Sequence, residues 1–171
     1  MSEAILEPTA AEPAPVFQTP AQEASARLKE LFPDVVSDET REGYEGLAIY
    51  PDALPEVAKA LRDELGFNYL SSVTGVDNID DGKLEAVYHL YSIARGGGPV
   101  VLHVNVDRNE PVIPSLVPVF RGAEFQEREA FDMYGIHFQG HPDLRRILTW
   151  DGFNGYPLRK DWHEPFFEEQ N

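Results

Sequence analysis

The densest set of residues able to do chemistry lies in EREAFDMYGIHFQGHPDLRRIL, Glu127 to Leu148. On a helix Arg128 and Asp132 stand four apart on one face, the spacing of an ion pair, while Glu127 shares a row with Phe131 and Glu129 with Met133. Glu127 and Glu129 would serve as general acid and base only if both carboxyls converged on one substrate. Two residues apart on a helix, they diverge by about 200° and do not face one site. Glu127, Glu129, Asp132 and Asp143 meet Arg128, Arg145 and Arg146, a net charge of −1 inside a chain of −16. Such balance suits charges packed together, because removing one member of a buried pair costs roughly 3–5 kcal/mol. The segment therefore reads as a structural or interface ionic clasp, with no catalytic, cofactor-binding or metal-binding residue assigned.

The other candidates are weaker. His137 and His141 have the spacing of two metal ligands on a helix, but Gly135, Gly140 and Pro142 oppose a helix there and no HExxH carboxylate is present. His89 and His103 fall on predicted strands and read as ordinary sheet residues. No serine sits in a GxSxG elbow, and Gly96-Gly97-Gly98 lacks the lysine of a phosphate loop. No dinucleotide fingerprint is present, which argues against direct NAD binding by this chain. The run WDGFNGYPLRKDW, Trp150 to Trp162, joins aromatic anchors to Arg159, Lys160 and Asp161, a composition common at interfaces.

Composition narrows the chemistry further. The 171 residues contain no cysteine, so no disulfide, Cys-ligated zinc, thiolate nucleophile or Cys-held iron–sulfur cluster can form on this chain. With 14 basic against 30 acidic residues and no basic patch, binding to nucleic acid or to an anionic membrane surface is not expected. No stretch approaches the roughly 18 apolar residues of a spanning helix. The first basic residue is Arg27, which does not fit a signal or transit peptide.

The elements that must position the clasp are legible as periodicity. Residues 1–20, with Pro8, Pro13, Pro15 and Pro20, read as an extended or disordered arm. Residues 21–135 read as an α+β core. Its first helix spans Ala21 to Phe32, and short strands follow around Val35–Val36 and Leu47–Tyr50. A second helix carries Leu54, Val57, Ala58, Leu61 and Leu65, with Asp52 as its cap and Gly66 at its left-handed end. Three strands, at 67–76, 84–93 and 100–106, are joined by loops short enough for antiparallel hairpins. Helical spacing returns from Pro114 to Tyr134, with Pro114 at a first helical position and Gly122 dividing two helices. Residues 136–171 read as an irregular, wrapping extension. The fold class is α+β, a helix, two strands, a helix, three strands and helices around a mixed or largely antiparallel sheet.

Taken together, Glu127-Arg128-Glu129, Asp132 to Ile136 with Gly135, His141-Pro142, Leu144 to Leu148 and Gly155 to Asp161 resemble the signature of the 30-kDa, or C, subunit of respiratory complex I, a family that includes the plastid and cyanobacterial J subunit. Gly66 to Leu70 and Val87 to Leu90 are similar too, so the resemblance covers roughly residues 45–162. It implies a non-catalytic subunit of the peripheral arm of a proton-translocating NADH:quinone oxidoreductase, on the cytoplasmic side of a bacterial membrane. It also implies packing against the 49-kDa (D) subunit near the iron–sulfur subunits, with the clusters, FMN, NAD and quinone handled by those partners. Ferredoxin- and reduced-deazaflavin-dependent versions of the complex use the same subunit type. The size, 19.2 kDa, is similar to the bacterial and plastid forms.

Overall fold

The computed structural model describes residues 17–163; most of the predicted N-terminal arm and the last eight residues of the extension lie outside the described residues. Helix α1 (Pro20–Leu31) begins at Thr19, whose side chain accepts the Gln22 N–H, and buries Ala24 and Leu28. Strands β1 (Val36–Asp38) and β2 (Leu47–Ile49) lead into a 3₁₀ turn, Pro51–Ala53, and helix α2 (Leu54–Asp63). Asp52 thus lies inside the turn; the α2 N-cap is Ala53, which makes no side-chain cap. Gly66 has φ +76° after the helix, the left-handed conformation its position requires.

Strands β3 (Tyr69–Asn78), β4 (Lys83–Tyr91) and β5 (Val100–Asp107) form a meander of two antiparallel pairs. The sheet order is β1-β2-β5-β4-β3, and β2 pairs with β5 in parallel, so the sheet is mixed. Alternation gives it two unlike faces. Leu84, Ala86, Tyr88 and Leu90 of β4 join Leu102, Val104 and Val106 of β5 in one core beneath α1, α2 and α3. The opposite face carries Ser72, Glu85, His89 and His103, and the loop from Glu39 to Gly46 crosses it.

The segment predicted to be helical from Pro114 divides differently. Val112–Pro114 is strand β6, paired in parallel with β7 (His137–Gln139). Residues 115–122 form turns, and helix α3 covers only Ala123–Tyr134, with Gly122 at its N-cap. Pro114 disfavours helical dihedrals at Ile113, and the β6–β7 pairing needs both residues extended.

Candidate functional site: the α3 clasp

Helix α3 lies on the core side of β3 and presents Arg128 and Asp132 to the chain that follows it. At its C-terminus Gly135 takes φ +76° and donates its N–H to Phe131 O. The Tyr156 ring packs where a Gly135 side chain would begin.

Asp132 is fully buried. Its carboxylate accepts from Arg146 Nη1 at 2.7 Å, from the N–H groups of Ile147, Leu148 and Thr149 at 2.9, 2.7 and 2.9 Å, and from the Thr149 hydroxyl. Burial alone would raise its pKa; the hydrogen bonds from Thr149, Ile147 and Leu148 outweigh that and hold it well below the usual carboxylate range. Helical spacing points to Arg128 as the partner of Asp132, and the structure corrects this. Arg128, itself buried, donates to the carbonyls of Arg145 and Arg146 at 3.2 and 3.3 Å, and its guanidinium lies over Phe125. Arg146 takes the ionic role, bonding also to Gly155 O at 3.0 Å between the rings of Phe153 and Tyr156.

Glu127 and Glu129 differ sharply in environment. Glu129 is exposed, whereas Glu127 is fully buried, accepting the Ser115 hydroxyl and the Leu116 N–H, each at 2.6 Å. With no cation among these partners, burial outweighs both bonds and pushes the Glu127 carboxyl up to about 7. The buried Tyr88 hydroxyl, whose pKa is raised by burial and by the nearby Glu127, has no hydrogen-bond partner among the described residues. The two glutamates therefore do not share a site.

The remaining predicted residues extend the clasp. His141 contacts Glu124 O through Nε2 at 3.0 Å and accepts the Asp143 N–H at Nδ1, a pattern that puts the ring proton on Nε2. Pro142 is exposed between them, and Arg145 pairs with Asp143 on the surface. Arg159 donates to Tyr134 O at 2.6 Å and stacks on Tyr156. Lys160 N–H reaches Asp77 of β3, and Asp161 pairs with Arg108, which also holds Asp77 at 2.8 Å. The chain after α3 is thus tied back to the helix by Asp132, Arg128 and Arg159, and to the sheet by Asp77.

Sequence reasoning missed Asp77, Arg108 and Ser115, and misread His103. Asp77 and Ser115 become significant only once chain distant in sequence reaches them. His103 bonds to buried Glu85 at 2.6 Å, and Arg41 joins both Glu85 and Glu39. Glu39, Glu85 and His103 each place a ligand atom within 4.8 Å of the others, and the Arg41 guanidinium supplies the positive charge among them. Burial raises the Glu85 pKa, but His103, Arg41 and Asn78 overcome this and bring it to about 2. The available sign was a glutamate and a histidine on neighbouring central strands, on one face.

The chain has relatives among known proteins. The model of the family described as the 30-kDa subunit of respiratory-chain NADH dehydrogenase matches residues 47–166. The chain belongs to that family. The C subunit of the NADH-quinone oxidoreductase of Moorella thermoacetica is 45% identical over 137 residues, covering 79% of this chain and 90% of that protein. The J subunit of the NAD(P)H-quinone oxidoreductase of a Synechococcus strain is 38% identical over 165 residues, 92% of this chain and 86% of that one. Among solved structures, a trypsin-resistant fragment of Nqo5 is 26% identical with a TM-score of 0.58, covering 72% of this chain and 99% of the fragment. A chain of an archaeal membrane-bound sulfane sulfur reductase shares the fold, with a TM-score of 0.70 at 22% identity over 85% of this chain and 87% of that one. The region matched by the family contains the whole clasp, from Ser115 to Asp161.

Proposed function

We propose that this chain is a non-catalytic structural subunit of the peripheral arm of a proton-translocating NADH:quinone oxidoreductase. The match to the 30-kDa subunit family carries the reading. The absence of cysteine supports placing the iron–sulfur clusters on partner subunits, with FMN, NAD and quinone handled there too. Among the described residues no helix is long and apolar enough to cross a membrane, in keeping with attachment to the cytoplasmic side through partners.

The clasp supplies the contact surface. Phe125, Leu148, Trp150 and Leu158 are each more than half exposed, on α3 and on the chain it holds. Large apolar side chains fixed by buried ionic bonds are suited to a permanent interface, and the partner proposed for them is the 49-kDa (D) subunit. The chain's role is to keep that surface in register, while electrons pass through neighbours.

Affinity purification of the tagged chain from gently solubilised membranes, followed by mass spectrometry and a quinone reductase assay, tests the reading. Co-purification with iron–sulfur and membrane subunits, with NADH-dependent quinone reduction lost on separating the chain, is the expected result. The same partners with activity only from ferredoxin or a reduced deazaflavin would keep the assembly and replace the donor. A chain recovered alone would overturn the proposal.

A further inference from the structure

One seam of the main sheet is left open. The parallel pairing of β2 with β5 consists of Leu47↔Leu102 and Ala48↔His103 and then stops. Tyr50 N–H donates to Val35 O and Glu39 N–H to Gly46 O, so residues 46, 48 and 50 turn their peptide groups towards β1, leaving Leu47 and Ile49 to face β5. Arg108 N–H donates to Gly82 O, so the even-numbered residues of β5 serve β4, while His103, Asn105 and Asp107 face β2. The next rung would join Asn105 N–H to Ile49 C=O. It is missing, because the chain turns away at Tyr50 into the Pro51–Ala53 3₁₀ turn. Among the described residues the peptide groups of Asn105 and the N–H of Asp107 find no other partner on that side.

The opening is a cleft of about 610 Å³. Its walls include Val35, Ile49, Val106 and the ring of Tyr50, which is 62% exposed. Asp34, Asp52, Asp107 and Glu110 stand around it, all exposed, and no lysine or arginine lines it. None of these four carboxylates enters an ion pair among the described residues. Main-chain donors and acceptors at the open edge of a strand, apolar walls and an unneutralised acidic rim are the elements of strand addition.

We propose that this cleft receives an extended segment of a protein partner, which adds as a short strand along Asn105–Asp107 and places lysine or arginine among the four carboxylates. The ends of this chain do not fit that charge. Residues 1–16 carry Glu3, Glu7 and Glu12, residues 164–171 carry Glu164, Glu168 and Glu169, and neither stretch has a lysine or arginine. A second copy, at net −16, is also unsuited. The seam is lined by β2 and β5 and by none of the clasp residues, and so adds a second contact to the one proposed above.

The test uses the assembled complex, purified with Tyr50→p-benzoylphenylalanine in this chain and irradiated. The expected product is a cross-link to a partner peptide with lysine or arginine near the captured residue. Exchange at the Asn105 and Asp107 amides should be slowed about tenfold or more in the complex relative to the isolated chain. Asp52→Asn with Glu110→Gln should weaken the cross-link while leaving the isolated chain folded. A complex that assembles but gives no cross-link from position 50, a cross-link to a segment without cationic residues, or amide exchange equal in complex and isolated chain would each overturn the strand-addition proposal and leave the clasp reading standing. A chain that co-purifies with no partner is recognised before irradiation and overturns both.

Discussion

Asp132 accepts from five donors on four residues, all supplied by the chain from Arg146 to Thr149. Asp132→Asn would turn one acceptor into a donor facing donors and remove the charge that neutralises Arg146. A loss of about 3–5 kcal/mol in urea unfolding is expected, as for breaking a buried pair. Glu129→Gln, on the exposed side of the same helix, should stay within about 0.5 kcal/mol. Glu127 gives a pH signature of opposite sign. Its carboxyl is raised to about 7 from an ordinary 4.5, so the folded state holds the proton more tightly. That stability is fully present below pH 4.5 and is lost as pH rises towards 7, on the order of 3 kcal/mol by linkage. Glu39, with Arg41 as the chief cause, and Glu85 are depressed to about 2; their stability is present above 4.5 and lost as pH falls towards 2. Thermal unfolding of Glu127→Gln followed from about pH 2 to 8 should lose the decline between pH 4.5 and 7 that Glu127 causes and keep the acid decline below 4.5. It should also keep the alkaline contribution of His103, whose pKa burial lowers but the bond to Glu85 raises on balance. An unchanged slope between pH 4.5 and 7 would show that Glu127 is ionised at neutral pH in the fold.

At the scale of elements, helix α3 is held against β3 by a close approach. Gly75 faces the Tyr134 ring so tightly that a Cβ there would overlap it. Gly75→Ala should therefore cost about 1–3 kcal/mol by overpacking. The cost should shrink in the background of Tyr134→Leu, a non-additivity that a double-mutant cycle in urea would measure. The helices and the three long strands were legible in the sequence because each satisfies its own period locally. The stretch after Pro114 was not. Leu116, Val119, Phe120 and Ala123 recur at helical spacing, with Leu116, Phe120 and Ala123 buried and Val119 half-buried, yet only Ala123 lies in a helix and the other three belong to the turns before it. Their spacing is met by one tight turn, in which Phe120 N–H reaches Leu116 O at 2.7 Å. The Leu116 N–H goes to Glu127 instead of a helical carbonyl. Likewise the charges of the clasp were visible, but their pairing was not. Four-residue spacing speaks only of neighbours on one helix, whereas Asp132 chooses Arg146 across a loop.

At the scale of the molecule, folding and assembly should be separable by substitution. Leu148 and Trp150 are 63% and 64% exposed, on the stretch of chain whose backbone Asp132 holds. Leu148 spends its N–H on the fold and offers its side chain outward. Trp150 adds one edge-to-face contact with Phe153, at 4.7 Å between centroids. Replacing both, Leu148→Asp with Trp150→Ser, forfeits about 0.5–1.5 kcal/mol of aromatic pairing and little buried area, a small part of a stability of about 5–15 kcal/mol. The isolated variant should therefore keep its circular dichroism and a near-native melting temperature. In membranes the same variant should fail to co-purify with the other subunits, since a buried carboxylate at an apolar contact has no cation to meet it. Asp132→Asn is the necessary contrast, because it lowers fold stability and assembly together. If the surface variant assembles normally, the exposed apolar residues of the clasp are not the contact, and the proposed placement of the 49-kDa subunit falls while membership of the family stands.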